Sequence, residues 1–239
     1  MKRALGVAWF TIRAVYDELF VLSGMGLIWF LVAIVVPYGL FALLGLLSPL
    51  AGLIGGLLAL LILAPPMTGG LYHVASHIAR EKRVEFGYLW EGIKTNARLS
   101  WALGGIVIFS GAILVVDVRF YLTSENRIFA VIGFLGLWAI LFWVTVQVYL
   151  FPLMIMQEDR RVKVILKNAS LITLAYPFYA LVILIIALLA TALSILLVFI
   201  LLATLWMPFV TVLFSRATFS SLGEVEAYRQ RETELEQEQ

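Results

Sequence analysis

Cysteine is absent from the 239-residue chain, which excludes disulfides, thiolate metal sites and a cysteine nucleophile. Charge is scarce as well: 13% of residues are Asp, Glu, Lys or Arg, against about 25% in an ordinary soluble domain. No phosphate-binding loop, nucleophile elbow or paired intramembrane carboxylates can be found. Acid–base chemistry needs titratable groups, and the long apolar runs hold almost none, so neither an enzyme nor a cofactor is expected.

What fills the chain instead is apolar surface. Hydrophobic residues make up 63% of it, more than a water-soluble fold of this size can hide. The polar segments are too short for a soluble domain. The expected fold is all-α: a polytopic helical membrane protein with about six transmembrane helices in three hairpins, forming one domain over 1–222 with an acidic tail at 223–239. The N-terminal apolar run is broken by Arg13, Asp17 and Glu18 with no small-residue cleavage site after it, so it reads as retained rather than as a signal peptide.

A spanning helix takes about 20 apolar residues. Phe20 to Ala64 is uncharged over 45 residues and must fold back. Gly45, Ser48 and Pro49 supply the turn, giving spans near 21–46 and 50–66. The second ends at Pro65 and Pro66, where two amide hydrogens are missing, and a more polar helix over Met67 to Lys82 leaves the membrane. Spans near 100–118 and 128–151 follow. Tyr176 to Phe214, 39 residues and about 58 Å as one helix, exceeds a hydrocarbon core of about 30 Å. It is read as a hairpin, 177–195 and 198–217, turning near Ser194 to Ile200. The tail from Gly223 carries six Glu against two Arg and is a solvated end.

With six spans, fifteen of the seventeen basic residues fall on one side and only Arg119 and Arg127 on the other. Basic residues resist translocation. Both termini are therefore expected in the cytoplasm and the chain in the cytoplasmic membrane of a cell, its basic inner face meeting anionic lipid rather than nucleic acid.

Each expected hairpin follows an amphipathic segment on the cytoplasmic side. The apolar stripes are Leu5, Trp9, Ile12, Tyr16 and Leu19; then Phe86, Leu89, Trp90, Ile93 and Ala97; then Val162, Ile165, Ala169 and Ile172. Such helices lie in the interface plane with the apolar face in lipid or against the bundle. IKTNARL (Ile93 to Leu99) aligns with ILKNASL (Ile165 to Leu171), and the matching topology points to an internal repeat used three times in parallel orientation.

The stretch from Ala64 to Trp101 ends a span in a Pro/Gly-rich turn (Pro66 to Leu71). It continues with an aromatic-containing helix (Tyr72), a basic loop (Arg80 to Arg83) and a helix with Trp90, Lys94 and Asn96. It resembles the YesL-like family of bacterial integral membrane proteins. FPLMIMQEDRRVKVILKNASL, with Phe151, Pro152 and Asn168, is similar to the family's second cytoplasmic section. The chain departs from the family at its first hairpin, where an extra apolar stretch stands. The resemblance implies architecture, and a link to solute uptake through the association of some members with carbohydrate-uptake genes.

Few polar residues are candidates for function. His73, His77 and Glu81 recur every four residues on one helical face, so two imidazoles could reach one metal ion. A zinc site needs three or four ligands in tetrahedral array, and Val74 stands where the metalloprotease glutamate would be. An interfacial polar face is the plainer reading, and no metal is expected. Gln147 and Thr145 lie within the fourth span, where polar groups face other helices or a wet cavity. Asp117 and Arg119 read as a loop-end ion pair. Pro65, Pro66, Gly69 and Gly70 are a possible hinge. The expected role is a non-enzymatic accessory or scaffold subunit that associates with a membrane-protein partner or with itself. The alternative is a small transporter or channel with a polar path between the repeats.

Overall fold

The computed structural model describes residues 2–124, 127–197 and 204–237. Among these the regular elements are all helices: α1 (Lys2–Asp17), α2 (Leu19–Gly45), α3 (Pro49–Ala79), α4 (Phe86–Leu122), α5 (Arg127–Met156), α6 (Val162–Ala175), α7 (Pro177–Leu197) and α8 (Trp206–Gln237). Five are long and apolar enough to cross a membrane: α2, α3, α4, α5 from Ile128 and α7 to Ile195. Large apolar side chains such as Phe109, Val116, Leu135 and Trp138 face outward. Surface of that kind and extent is stable only against lipid or another apolar surface, so the chain is a helical, multi-pass membrane protein.

The first turn forms as its residues dictate. Ser48 Oγ accepts from the Ala51 N–H at 3.0 Å, and Pro49 takes the first helical position, where a missing amide hydrogen costs nothing. Earlier in α2, Pro37 cannot donate to the Ala33 carbonyl. The helix widens to a π turn over Leu31–Val35, and the Val36 N–H reaches Leu31 O, five residues back.

Three boundaries depart from the sequence reading. The second span does not stop at Pro65 and Pro66; α3 runs on through both to Ala79. The carbonyl that Pro66 leaves without its usual donor, Ile62 O, accepts instead from the Trp101 indole at 2.8 Å. The amphipathic segment expected before the third span is continuous with it, in one helix of 37 residues that is about 55 Å long. No proline or glycine break separates the two parts. In the third unit the break is real, because Pro177 forces Tyr176 out of helical geometry. Of the expected turn near Ser194 to Ile200, positions 194–197 still belong to α7, and 198–200 lie outside the described residues, as does the start of the span at 198–217. The remainder of that span belongs to α8, which continues past Gly223 into the acidic tail.

Helix α8 is the axis of the bundle, packing against α1, α2, α3, α5 and α7. One core cluster joins α2 and α3 (Leu22, Met25, Trp29, Leu71) to Val212. A second joins α5, α6 and α7 (Tyr149, Leu153, Ile165, Ile183) to Leu213 and Ala217. Two close approaches fix this arrangement. Gly26 lies so near the Thr204 carbonyl that a Cβ would overlap its oxygen, and Gly70 and Gly92 bring α3 against α4.

The three amphipathic stripes end differently. Leu5, Trp9, Ile12 and Tyr16 are all exposed, while α1 buries the opposite face, Ala4, Val7, Thr11 and Val15. In the second, Leu89 is buried and Phe86 and Trp90 are exposed; in the third, Ile165, Ala169 and Ile172 turn into the core.

Candidate functional site

The intramembrane polar residues singled out by sequence each donate to a carbonyl of their own helix. Thr145 Oγ1 donates to Leu141 O at 2.7 Å and Gln147 Nε2 to Trp143 O at 3.2 Å. Pro65, Pro66, Gly69 and Gly70 are all buried within a continuous helix. Their surroundings are closed: Gly69 meets Ser100, Gly70 meets Ile93 and Leu89, and Pro65 sits on Gly104. Asp117 and Arg119 are both exposed and, two apart on one helix, do not face one another. They form no ion pair among the described residues.

His73 and His77 do approach, with ring centroids 4.9 Å apart. His77 donates from Nδ1 to His73 O at 3.0 Å and stacks on Tyr88 at 4.7 Å. Glu81 leaves their face. It follows the end of α3 with φ 61°, its N–H on Ile78 O and that of Lys82 on His77 O, the Schellman arrangement that terminates helices. Its carboxylate turns to Arg216, at 3.3 Å. Among the described residues no third carboxylate or imidazole completes a metal set with the two histidines.

The repeated asparagines do share a role. Asn96, buried, accepts from Arg160 Nη1 at 3.3 Å, and Asn168 donates to Gln157 Oε1 at 3.1 Å. The linker between α5 and α6 is thus held from both copies of the motif. Within it Arg161 clamps Asp159 through Nε and Nη2 and holds that carboxyl below its ordinary pKa.

The densest polar constellation was not legible in the sequence. It lies at the end of the bundle where α1, the 80–85 loop, the start of α7 and α8 meet. Arg216, on α8, donates to Ala79 O at 2.5 Å, and its guanidinium lies 3.9 Å from the centroid of the Phe10 ring. Arg3, on α1, donates from Nε to Ser220 Oγ at 2.9 Å, pairs through Nη1 with Glu224, and lies 4.5 Å over the Tyr179 ring. Arg3 Nη2 and the hydroxyls of Ser215 and Thr218 are shielded from solvent and have no hydrogen-bond partner among the described residues, while the buried Tyr149 and Tyr179 hydroxyls lie within reach of Ser221 and Ser220. Ser221, beside Tyr149, is committed to Ala217 O at 3.0 Å.

Two cavities open here. One of about 300 Å³ is lined by Arg3, Gly6, Phe10, Arg216, Phe219 and Ser220 among others. A larger one, about 1040 Å³, runs between α1 and the 81–85 loop past Arg13, Asp17 and Glu81. Gln147 and Thr145 line neither. Sequence reading had one usable signal, Arg216 directly after the last apolar run. Arg3 was hidden, because its hydrogen-bond and ion-pair partners are 217 positions and more away. Comparison with protein-family models, curated proteins and solved structures gives no match.

Proposed function

We propose that this protein is a non-enzymatic accessory or scaffold subunit of the cytoplasmic membrane, working by association with a membrane-protein partner or with a second copy. The observation that carries this reading is that Thr145 and Gln147 each donate to a carbonyl of their own helix. A solute path needs polar groups turned toward a cavity, whereas these spend their hydrogen bonds locally. The closed seams around Gly69, Gly70 and Pro65 agree with a rigid frame. Its outward apolar surface is then available to a partner.

In this reading six helices span the bilayer, α8 supplying the sixth, with both termini cytoplasmic. The gathering of Arg3, Arg13, Lys82, Arg83, Arg160 and Arg216 at one end of the bundle supports that sidedness, because basic residues stay inside. Helix α1 lies in the inner interface with Leu5, Trp9, Ile12 and Tyr16 in lipid, and the basic face meets anionic headgroups. Membership of the YesL-like group belongs to the same proposal and rests on the motifs at Ala64 to Trp101.

Extraction from the native membrane in a mild detergent, followed by identification of stoichiometric companions, tests the reading. A defined membrane partner or a homo-oligomer is expected. Recovery of a lone monomer, together with solute flux into proteoliposomes that Gln147→Leu abolishes, would contradict it and favour the transporter.

A further inference from the structure

We propose that the cavity between Arg3 and Arg216 is a binding site for a phosphate-bearing anion. Arg3 from α1 meets Arg216 and Ser220 from α8 there, and Tyr179 from α7 lies beneath the Arg3 guanidinium. Arg3 and Arg216 both line the cavity with Ser220. Tyr149 and Tyr179 lie within electrostatic reach of Arg3. Arg3 Nη2 is shielded from solvent and has no hydrogen-bond partner among the described residues, whereas the buried Tyr149 and Tyr179 hydroxyls lie within hydrogen-bonding reach of Ser221 and Ser220.

A buried guanidinium nitrogen without an acceptor is costly, and Arg3 Nη2 can only donate. What the cluster lacks is an acceptor with several oxygens. A phosphate supplies that, and guanidinium recognises it in a planar, bidentate manner. Val7, Phe10 and Phe219 give the cavity an apolar wall, suited to the glycerol and acyl portion of a lipid. Two carboxylates already touch the cations, Glu224 on Arg3 and Glu81 on Arg216. Both are substantially exposed, 46% and 69%, so each can swing into water when an anion enters. Glu224, the first acidic residue of the tail, then acts as an internal competitor.

The phosphate can come from an anionic lipid headgroup or from a soluble phosphate. Only the lipid source rests on the inner-leaflet placement of this end of the bundle. The full chain in an uncharged detergent is titrated at constant ionic strength with inorganic phosphate, and separately with mixed micelles of phosphatidylglycerol or of phosphatidylcholine, while its melting temperature is read. A ligand that binds only the folded protein raises it. A rise with phosphatidylglycerol alone identifies the lipid source, and a rise with inorganic phosphate identifies the soluble one.

Arg3→Gln weakens the apparent affinity by roughly tenfold or more, the loss of a charged hydrogen-bonding partner. Ser220→Ala, which removes a hydroxyl lining the cavity, weakens it by roughly threefold or more. Glu224→Gln tightens it, an effect that poor folding cannot imitate. Arg13→Gln, an exposed change on the same helix but outside this cavity, leaves it unchanged. The site is overturned if neither phosphate source raises the melting temperature, or if Arg3→Gln and Arg13→Gln weaken binding equally, which is general surface attraction. The protein in this experiment is already free of partners. Failure here therefore leaves the accessory-subunit reading standing, and the loss of that reading leaves the site standing.

Discussion

The Trp101 indole nitrogen donates to the Ile62 carbonyl at 2.8 Å, and Ile62 is the residue whose acceptor Pro66 leaves without its helical donor. A tandem proline that reads as a terminator is thereby carried inside a helix, because a side chain from the neighbouring span replaces one lost amide. The relationship joins α3 to α4 by chemistry as well as by packing.

Trp101→Phe should therefore destabilise the folded protein in detergent micelles by about 1–2 kcal/mol. Pro66→Ala restores the amide hydrogen to Ile62. In that background the same Trp101→Phe change should cost about 1 kcal/mol less, a coupling that a double-mutant cycle of unfolding free energies reads directly. Equal costs in the two backgrounds would show that the indole contributes packing alone.

Glycine positions separate sharply. At Gly26 a Cβ would overlap the Thr204 carbonyl oxygen, whereas at Gly39 nothing lies within 4 Å. Gly26→Ala should lower stability by about 2 kcal/mol or more, since backbone must move to admit the methyl group. Gly39→Ala should be neutral or stabilise by about 0.5–1 kcal/mol through helix propensity. Thermal unfolding of both variants in one detergent is the comparison, and an equal response would contradict the packing of α2 on α8.

Glu81 occupies the left-handed position that ends α3, at φ 61°, where glycine carries no Cβ penalty. Glu81→Gly should leave stability within about 1 kcal/mol of the parent, because the conformational relief offsets an exposed ion pair with Arg216 worth about 0–1 kcal/mol. Glu81→Ala keeps the penalty and loses the pair. It should be less stable than Glu81→Gly by about 1 kcal/mol, measured by chemical denaturation in micelles; equal midpoints would exclude a strained turn here.

Gln147 makes its bond to its own helix. Gln147→Leu should change unfolding free energy by less than about 1 kcal/mol and leave the pattern of co-purifying partners intact. Loss of assembly on this single change would show that the amide faces a partner.

The elements that local chemistry specifies were legible in the sequence. Ser48 and Pro49 announced their turn because an N-cap hydroxyl and a first-turn proline act within three residues. Apolar runs located the five helices that are long and apolar enough to cross a membrane, since uncharged length alone decides that property. Pro65 and Pro66 misled, because the donor that rescues the helix stands 39 positions away on another span. Glu81 was placed on the histidine face by periodicity, which presumes a helix that in fact ends at Ala79. The Arg3, Tyr149 and Tyr179 cluster was invisible for the same reason in stronger form. Its members lie on three helices, and nothing in the neighbourhood of any one of them marks it out.

The proposed topology, and with it the lipid source of the phosphate, presupposes that the basic end of the bundle lies in the cytoplasm. The absence of native cysteine makes this measurable without background, by placing single cysteines at Lys82, Asp159 and Gly223 and, on the other side, at Leu47 and Thr123. Each is then challenged in intact cells with a membrane-impermeant thiol reagent. The expected result is labelling from outside at positions 47 and 123, and labelling at 82, 159 and 223 only after the membrane is opened. Position 82 on the opposite face from position 223 would contradict the account.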